Sequence, residues 1–137
     1  MILVDRALER RARENRPIRV GLIGAGFMGR GIALQLLQFT TGMRLVAVAN
    51  RHLDGAAQAY REAGVADVRA VETRAQLEGA VARGQYAITD NALLLCQADG
   101  IDVVVEVTGF VELATIVTLE AIPVSYTHLT LPTNSRV

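Results

Sequence analysis

Three glycines in the pattern Gly24-x-Gly26-x-x-Gly29 lead from a short apolar run, Arg19 to Ile23, into a segment from Met28 to Phe39. In that segment Ile32, Leu36 and Phe39 recur on one helical face, so the glycines join a strand to a helix. Gly24 permits the tight turn, Gly26 leaves its backbone uncovered by a Cβ, and Gly29 lets the helix pack close to the strand. Thr40 to Gly42 then breaks the helix, and Leu45 to Ala49 is an unbroken apolar run, as in a strand buried on both faces of a parallel sheet. Strand, glycine turn, helix and strand predict a right-handed βαβ crossover.

The rest of the chain continues the alternation. Residues 2–15 carry Ile2, Leu3, Ala7 and Leu8 at helical spacing and form an amphipathic leading helix that Pro17 closes. Asp54 is the expected N-cap of a helix from Gly55 to Ala63 that contains Tyr60 and stops at Gly64. Val68 to Val71 is a short strand. Thr73 and Gln76 have the capping-box spacing for a helix through Leu77, Ala80 and Val81, ended by Gly84. Tyr86 to Thr89 is extended, Asn91 to Gln97 is a capped helix, and Ile101 to Val107 is the strongest strand. Thr108 and Gly109 end it before a helix over residues 111–121. The fold class is α/β: a Rossmann-type, doubly wound parallel sheet with helices on both faces, ending before its last strands. The expected organisation is an incomplete nucleotide-binding domain over residues 1–122 and a non-native tail over 123–137.

Composition narrows the chemistry. The chain has 137 residues, one domain's worth, and only 4% are aromatic, so Val, Ile, Leu and Ala must build the core. Fourteen acidic residues balance fourteen basic ones, which gives no field favouring nucleic acid or an anionic membrane. Every basic residue is Arg, which excludes a Schiff-base lysine or a Walker lysine within these residues. One cysteine, Cys96, cannot form an internal disulfide, and two histidines without cysteine partners make no metal pattern, so no metal is expected. Met1 to Val4 run straight into charged residues, with no signal peptide and no membrane span, so the expected location is cytoplasmic.

At the front of the first long helix, the N–H groups of Phe27 and Met28 lie at the positive end of the helix dipole, where an anion is stabilised. Glycines alone could serve a turn that holds no ligand. The second strand, however, ends about 20 residues beyond the last glycine, as dinucleotide binding requires. The pyrophosphate set is therefore Gly24, Gly26, Phe27, Met28 and Gly29. A protein selecting NAD usually places an acid at the end of that strand to hold the ribose 2'-hydroxyl. Here Asn50 and Arg51 stand instead. With no carboxylate to repel a 2'-phosphate and a guanidinium to pair with it, NADP is preferred over NAD, and FAD and S-adenosylmethionine follow behind. Val107, Thr108 and Gly109, at the carboxyl end of the strongest strand, belong beside the ribose and nicotinamide. Glu106 is either a pocket carboxylate or a residue on a solvated edge. Cys96 is a small core residue, His52 an exposed loop residue, and the stretch from Arg6 to Arg16 a solvated helix face.

The leader Met1-Ile2-Leu3-Val4-Asp5-Arg6-Ala7-Leu8, the run Arg16-Pro17-Ile18-Arg19-Val20-Gly21 and the turn Gly24-Ala25-Gly26-Phe27-Met28-Gly29-Arg30-Gly31 resemble bacterial homoserine dehydrogenase-like oxidoreductases that carry a C-terminal SAF domain. Within these, the chain is similar to the deoxyxylulose-phosphate reductoisomerase-like (DRL) subgroup. Asn50-Arg51-x-x-Asp54-Gly55-Ala56, Ile88-Thr89-Asp90 and Glu106-Val107-Thr108-Gly109 fit the same resemblance, which covers residues 1 to about 122. It implies an NADP-binding domain of an enzyme that is a homo-oligomer when full length and acts on a small-molecule substrate. For the DRL subgroup it implies NADPH-dependent formation of methylerythritol phosphate, an isoprenoid precursor. It places the catalytic residues beyond this domain, so the residues present would be inactive alone. Val124-Ser125-Tyr126-Thr127-His128-Leu129-Thr130-Leu131-Pro132-Thr133 instead resembles a one-frame translation of a transposase mosaic-end adaptor, although Val124, Tyr126, His128 and Thr130 also alternate as a strand would. The competing function is a non-catalytic, nucleotide-sensing regulatory module.

Overall fold

The computed structural model describes residues 3–108 and 127–130. Its elements, in chain order, are α1 (Leu3–Arg13), β1 (Ile18–Ile23), α2 (Phe27–Leu34), a π-helical segment (Gln35–Phe39), β2 (Met43–Ala49), α3 (Leu53–Glu62), β3 (Val68–Ala70), α4 (Arg74–Ala82), β4 (Tyr86–Thr89), α5 (Leu93–Gln97), β5 (Val103–Glu106) and β6 (Thr127–Thr130). The strands form one sheet in the order β3-β4-β2-β1-β5-β6, and every adjacent pair is parallel. The Rossmann-type α/β sheet read from the sequence is thus present. The helix expected over residues 111–121 lies outside the described residues. Thr127–Thr130, in the stretch with two sequence readings, pairs in register with Val103–Glu106.

The order of the strands determines which face each helix covers. From β1 to β2 and on to β3 the chain travels one way across the sheet. From β3 back to β4, and from β4 over to β5, it travels the other way. Right-handed crossovers therefore place α2 and α3 on one face and α4 and α5 on the opposite one. The core divides accordingly: Ala33, Ala56, Ala59 and Tyr60 pack with Val20, Leu22, Leu45 and Val48. On the other face Leu77, Ala80, Leu95 and Cys96 pack with Ile23, Val46, Ala47 and Val104. β2 is buried on both faces, which accounts for its unbroken apolar run. Its alternation slips at Val46 and Ala47, which share a face where the β1–β2 register shifts.

Several local expectations meet the structure directly, and some need correction. Thr73 and Gln76 form a reciprocal capping box at α4, and Gly64 and Gly84 end α3 and α4 at φ +97° and +73°. Asp54 is not the N-cap of α3. His52 holds that position without a side-chain bond, and Asp54 lies in the first turn, where its charge complements the helix dipole. Phe39 does not share the core face of Ile32 and Leu36, being 68% exposed. The π-helical widening after Leu34 turns both Leu36 and Leu37 toward the core and carries Phe39 out of that face. Ala7 is exposed on α1, while Leu8 is half-buried. Among the described residues no helix is long and apolar enough to cross a membrane.

Candidate functional site

The chain leaves β1 at Ile23 and turns at Gly24 with φ +110°, a conformation that L side chains rarely adopt. The turn is pinned on both sides. The Gly24 N–H donates to the Ala49 carbonyl at 2.8 Å, and the Val107 N–H donates to the Ile23 carbonyl at 2.9 Å. Gly29, one turn into α2, lies so close that a Cβ there would stand 2.8 Å from the carbonyl carbon of Gly24. Both glycines are thus required by the fold itself.

Gly26 differs. Its φ of −75° and ψ of −163° are open to any residue, and a Cβ placed on it would meet nothing within 4 Å. The protein's own packing supplies no reason for glycine there, so the uncovered backbone faces open space at the front of α2. Gly26 is also the N-cap of α2 and offers no side-chain acceptor, and the first turn carries no acidic residue. The positive end of the helix, with the amides of Phe27 and Met28, is left without a compensating negative group from the helix itself. Phe27 is 90% exposed and Met28 is exposed as well.

Asn50, at the end of β2, ties this turn to the next one. Its Oδ1 accepts the Ala25 N–H at 3.1 Å, its Nδ2 donates to the His52 carbonyl at 2.9 Å, and its backbone N–H donates to the Thr89 carbonyl at 3.0 Å. A carboxylate could accept the first of these side-chain bonds but could not donate the second. An amide therefore suits a position where an acid is usual in NAD-selective domains. Arg51 beside it is exposed and makes no hydrogen bond or ion pair among the described residues.

A cleft of about 470 Å³ opens along the carboxyl ends of the strands. Its walls are Ile23 and Ala49 at the strand ends, Asn50 and Arg51 after β2, Asp90 to Leu93 after β4, and Thr108 after β5. This is the edge on which open α/β sheets bind ligands. Of the residues singled out in the sequence, Asn50, Arg51 and Thr108 line the cleft, while Gly24, Gly26, Phe27, Met28 and Gly29 form the adjoining turn. Val107 is buried and packs its Cγ2 against that turn instead of facing the cleft. Gly109 lies outside the described residues.

Glu106 resolves into neither of its two sequence readings in a simple form. It is 1% exposed, so it does not sit on a solvated edge. Its Oε2 accepts the Thr108 N–H at 2.7 Å and also the Thr108 hydroxyl. The carboxylate therefore lies behind the cleft wall and reaches the cleft through Thr108.

The sequence reading missed Asn91 and Leu93 as cleft residues, and Asp90 entered only through the family resemblance. Asn91 is held by three local bonds: its N–H donates to Thr89 Oγ1 at 3.1 Å, its Oδ1 accepts the Leu93 N–H at 3.2 Å, and its carbonyl accepts the Leu94 N–H at 3.2 Å. The usable signal was position: these residues directly follow a parallel strand adjacent to β2.

The family model described as "3-hydroxyacyl-CoA dehydrogenase, NAD binding domain" matches residues 19–116. No curated protein matches the chain by sequence. Among solved structures it is similar to myo-inositol dehydrogenase from Lactobacillus casei, in complex with NAD(H) and myo-inositol, with 23% identity and a TM-score of 0.62. That match covers 83% of this chain and 28% of the other. It is similar also to scyllo-inositol dehydrogenase from the same organism (14% identity, TM-score 0.61, 83% and 27% covered). A third is the UDP-N-acetylglucosamine 3-dehydrogenase GnnA from Acidithiobacillus ferrooxidans (19% identity, TM-score 0.52, 83% and 29% covered). At these identities the likeness is one of fold, and the chain spans about 28% of the length of the first of these relatives.

Proposed function

The chain belongs to the 3-hydroxyacyl-CoA dehydrogenase NAD-binding domain family, and from that premise we propose that it is the NADP-binding domain of an NADPH-dependent oxidoreductase. The observation that carries the reading is Gly26. It is a glycine that side-chain packing does not require, at the front of a helix with no side-chain cap, with space where a side chain would stand. Such a cradle admits a pyrophosphate to the amides of Phe27 and Met28.

Each residue then has a task in holding the dinucleotide. Gly24 and Gly29 keep the turn tight, and Asn50 locks the turn to the end of β2 through Ala25. Arg51 pairs with the 2'-phosphate at the adenosine end, where the absence of a carboxylate favours NADP over the NAD(H) bound by the inositol dehydrogenases. Thr108 borders the nicotinamide half, and Val107 backs it against the glycine turn. The bound nicotinamide would supply hydride transfer, and the domain's part is to bind and orient it. The motif resemblance supports the finer reading of a homoserine dehydrogenase-like or DRL-type enzyme. Its small-molecule substrate, NADPH-dependent methylerythritol phosphate formation in the DRL case, and its homo-oligomeric assembly belong to the full-length protein.

Titration of the chain with NADP⁺ and NAD⁺ tests the cofactor assignment. Tighter binding of NADP⁺ is expected. Arg51→Asp should shift the ratio of the two dissociation constants toward NAD⁺ by at least about tenfold, or about 1.4 kcal/mol. A ratio that Arg51→Asp leaves in place removes Arg51 from the 2'-phosphate.

A further inference from the structure

Glu106 closes an otherwise apolar strand, Val103 to Val105, in a position where the core would favour another aliphatic side chain. Enclosing a carboxylate is costly unless hydrogen bonds satisfy it, so its presence calls for a local return. Both bonds that its Oε2 accepts come from a single residue, Thr108, through the backbone N–H and the hydroxyl. Two bonds from adjacent groups to one charged oxygen hold residues 106–108 in a single conformation, and charge-assisted bonds are about twice as strong as neutral ones. The turn so held is shared with the rest of the site. Thr108 lines the cleft, and its Cγ2, with that of Val107, packs where a Cβ on Gly24 would come within 3.2 Å. The carboxylate, the Thr108 turn and the glycine turn thus form one continuous wall.

We propose that Glu106 is a positioning residue for the nicotinamide half of the dinucleotide, acting through the Thr108 turn and leaving the adenosine half untouched. The inference rests on the dinucleotide reading of the site given above. Its geometric basis is that Glu106 grips the β5 end of the cleft. Of the groups assigned to the adenosine end, Asn50 is held at the end of β2 by bonds that do not involve Glu106, and Arg51 makes no bond to Glu106 or to any other described residue.

The test compares NADP⁺ with 2'-phospho-ADP-ribose, which is the same ligand without nicotinamide. Both are titrated into the 137-residue chain and its variants by calorimetry. Glu106→Leu keeps the volume and removes the acceptor. It should raise the dissociation constant for NADP⁺ about tenfold and change that for 2'-phospho-ADP-ribose by no more than about twofold. Glu106→Gln keeps an acceptor oxygen without the charge and should recover most of the loss. A merely structural role would weaken both ligands alike, so equal losses overturn the proposal, as does unchanged NADP⁺ binding. If the variants do not fold, the Thr108 amide resonance of the unaltered chain decides. It should move with NADP⁺ and stay in place with 2'-phospho-ADP-ribose, and an amide indifferent to NADP⁺ overturns the proposal. Failure of the unaltered chain to bind 2'-phospho-ADP-ribose defeats the dinucleotide reading itself, an outcome separate from either of these.

Discussion

Replacing Gly29 by alanine sets two effects of opposite sign against each other within one helix. Alanine is the better helix former, and in an unobstructed interior position the change stabilises by about 1 kcal/mol. At Gly29 the new Cβ would stand 2.8 Å from the carbonyl carbon of Gly24, where ordinary contact begins near 3.4 Å. The obstacle is backbone, and the Gly24 N–H is itself fixed to the Ala49 carbonyl at 2.8 Å. The Gly24 carbonyl oxygen lies nearer still, so helix α2 must draw away from the turn by about 1 Å, giving up part of its packing through Ala33 on the sheet. Overpacking of this kind costs about 1–3 kcal/mol, here at the upper end because no flexible side chain can yield. After the helix gain, a net loss of about 1–2 kcal/mol remains. Gly31→Ala provides the internal comparison, since a Cβ there meets nothing within 4 Å and only the gain applies. Urea unfolding followed by far-UV circular dichroism should separate the two variants by about 2–3 kcal/mol at a common m-value, with the unaltered chain between them. If Gly29→Ala proves as stable as Gly31→Ala, the close approach of α2 to the glycine turn is not what holds Gly29 in place.

Two further outcomes are expected. Gly26→Ala should cost stability no more than about 1 kcal/mol, as its backbone suits alanine and the loss is that of a weaker N-cap. Its Cβ would, however, occupy the proposed pyrophosphate cradle, and NADP⁺ affinity measured by calorimetry should fall about tenfold to a hundredfold. Undiminished affinity would remove the cradle. Acid titration addresses Asp102: burial pushes its carboxyl up, but the Arg19 side chain and backbone N–H, both bonded to it, together hold it below the ordinary 3.8. The folded state then binds that proton less readily than the unfolded one. The contribution is fully present above about pH 4 and is lost as the pH falls through the depressed value. Asp102→Asn should flatten the fall in melting temperature over that acid range, and an unchanged slope refutes the coupling.

The fold was legible where its causes are short-range. A glycine turn, a Thr73–Gln76 capping box and terminating glycines are each settled by sterics and hydrogen bonds among residues a few positions apart, so the sequence displays them whole. The buried run of β2 was equally plain, because a strand covered on both faces has no polar side to hide. The turn from Gly24 to Gly29 and the ends of two strands are therefore legible in the sequence, and with them Asn50, Arg51 and Thr108 of the cleft.

What the sequence could not display depends on partners far along the chain. Asn50 reads as a missing acid; only its bonds to Ala25 and to the His52 carbonyl show it as the tie between two turns. Glu106 could face water or a pocket until the sheet buries it and the Thr108 turn closes over it. Nor does the succession of strands announce that β4 returns to lie between β3 and β2, the step that sends α4 and α5 to the second face. By itself the chain determined the order of strands and helices among the described residues and the glycine turn that leaves the backbone bare at Gly26. Tertiary structure alone decided which side chains meet at the cleft, because their environment is set by neighbours that only folding brings within a few ångströms.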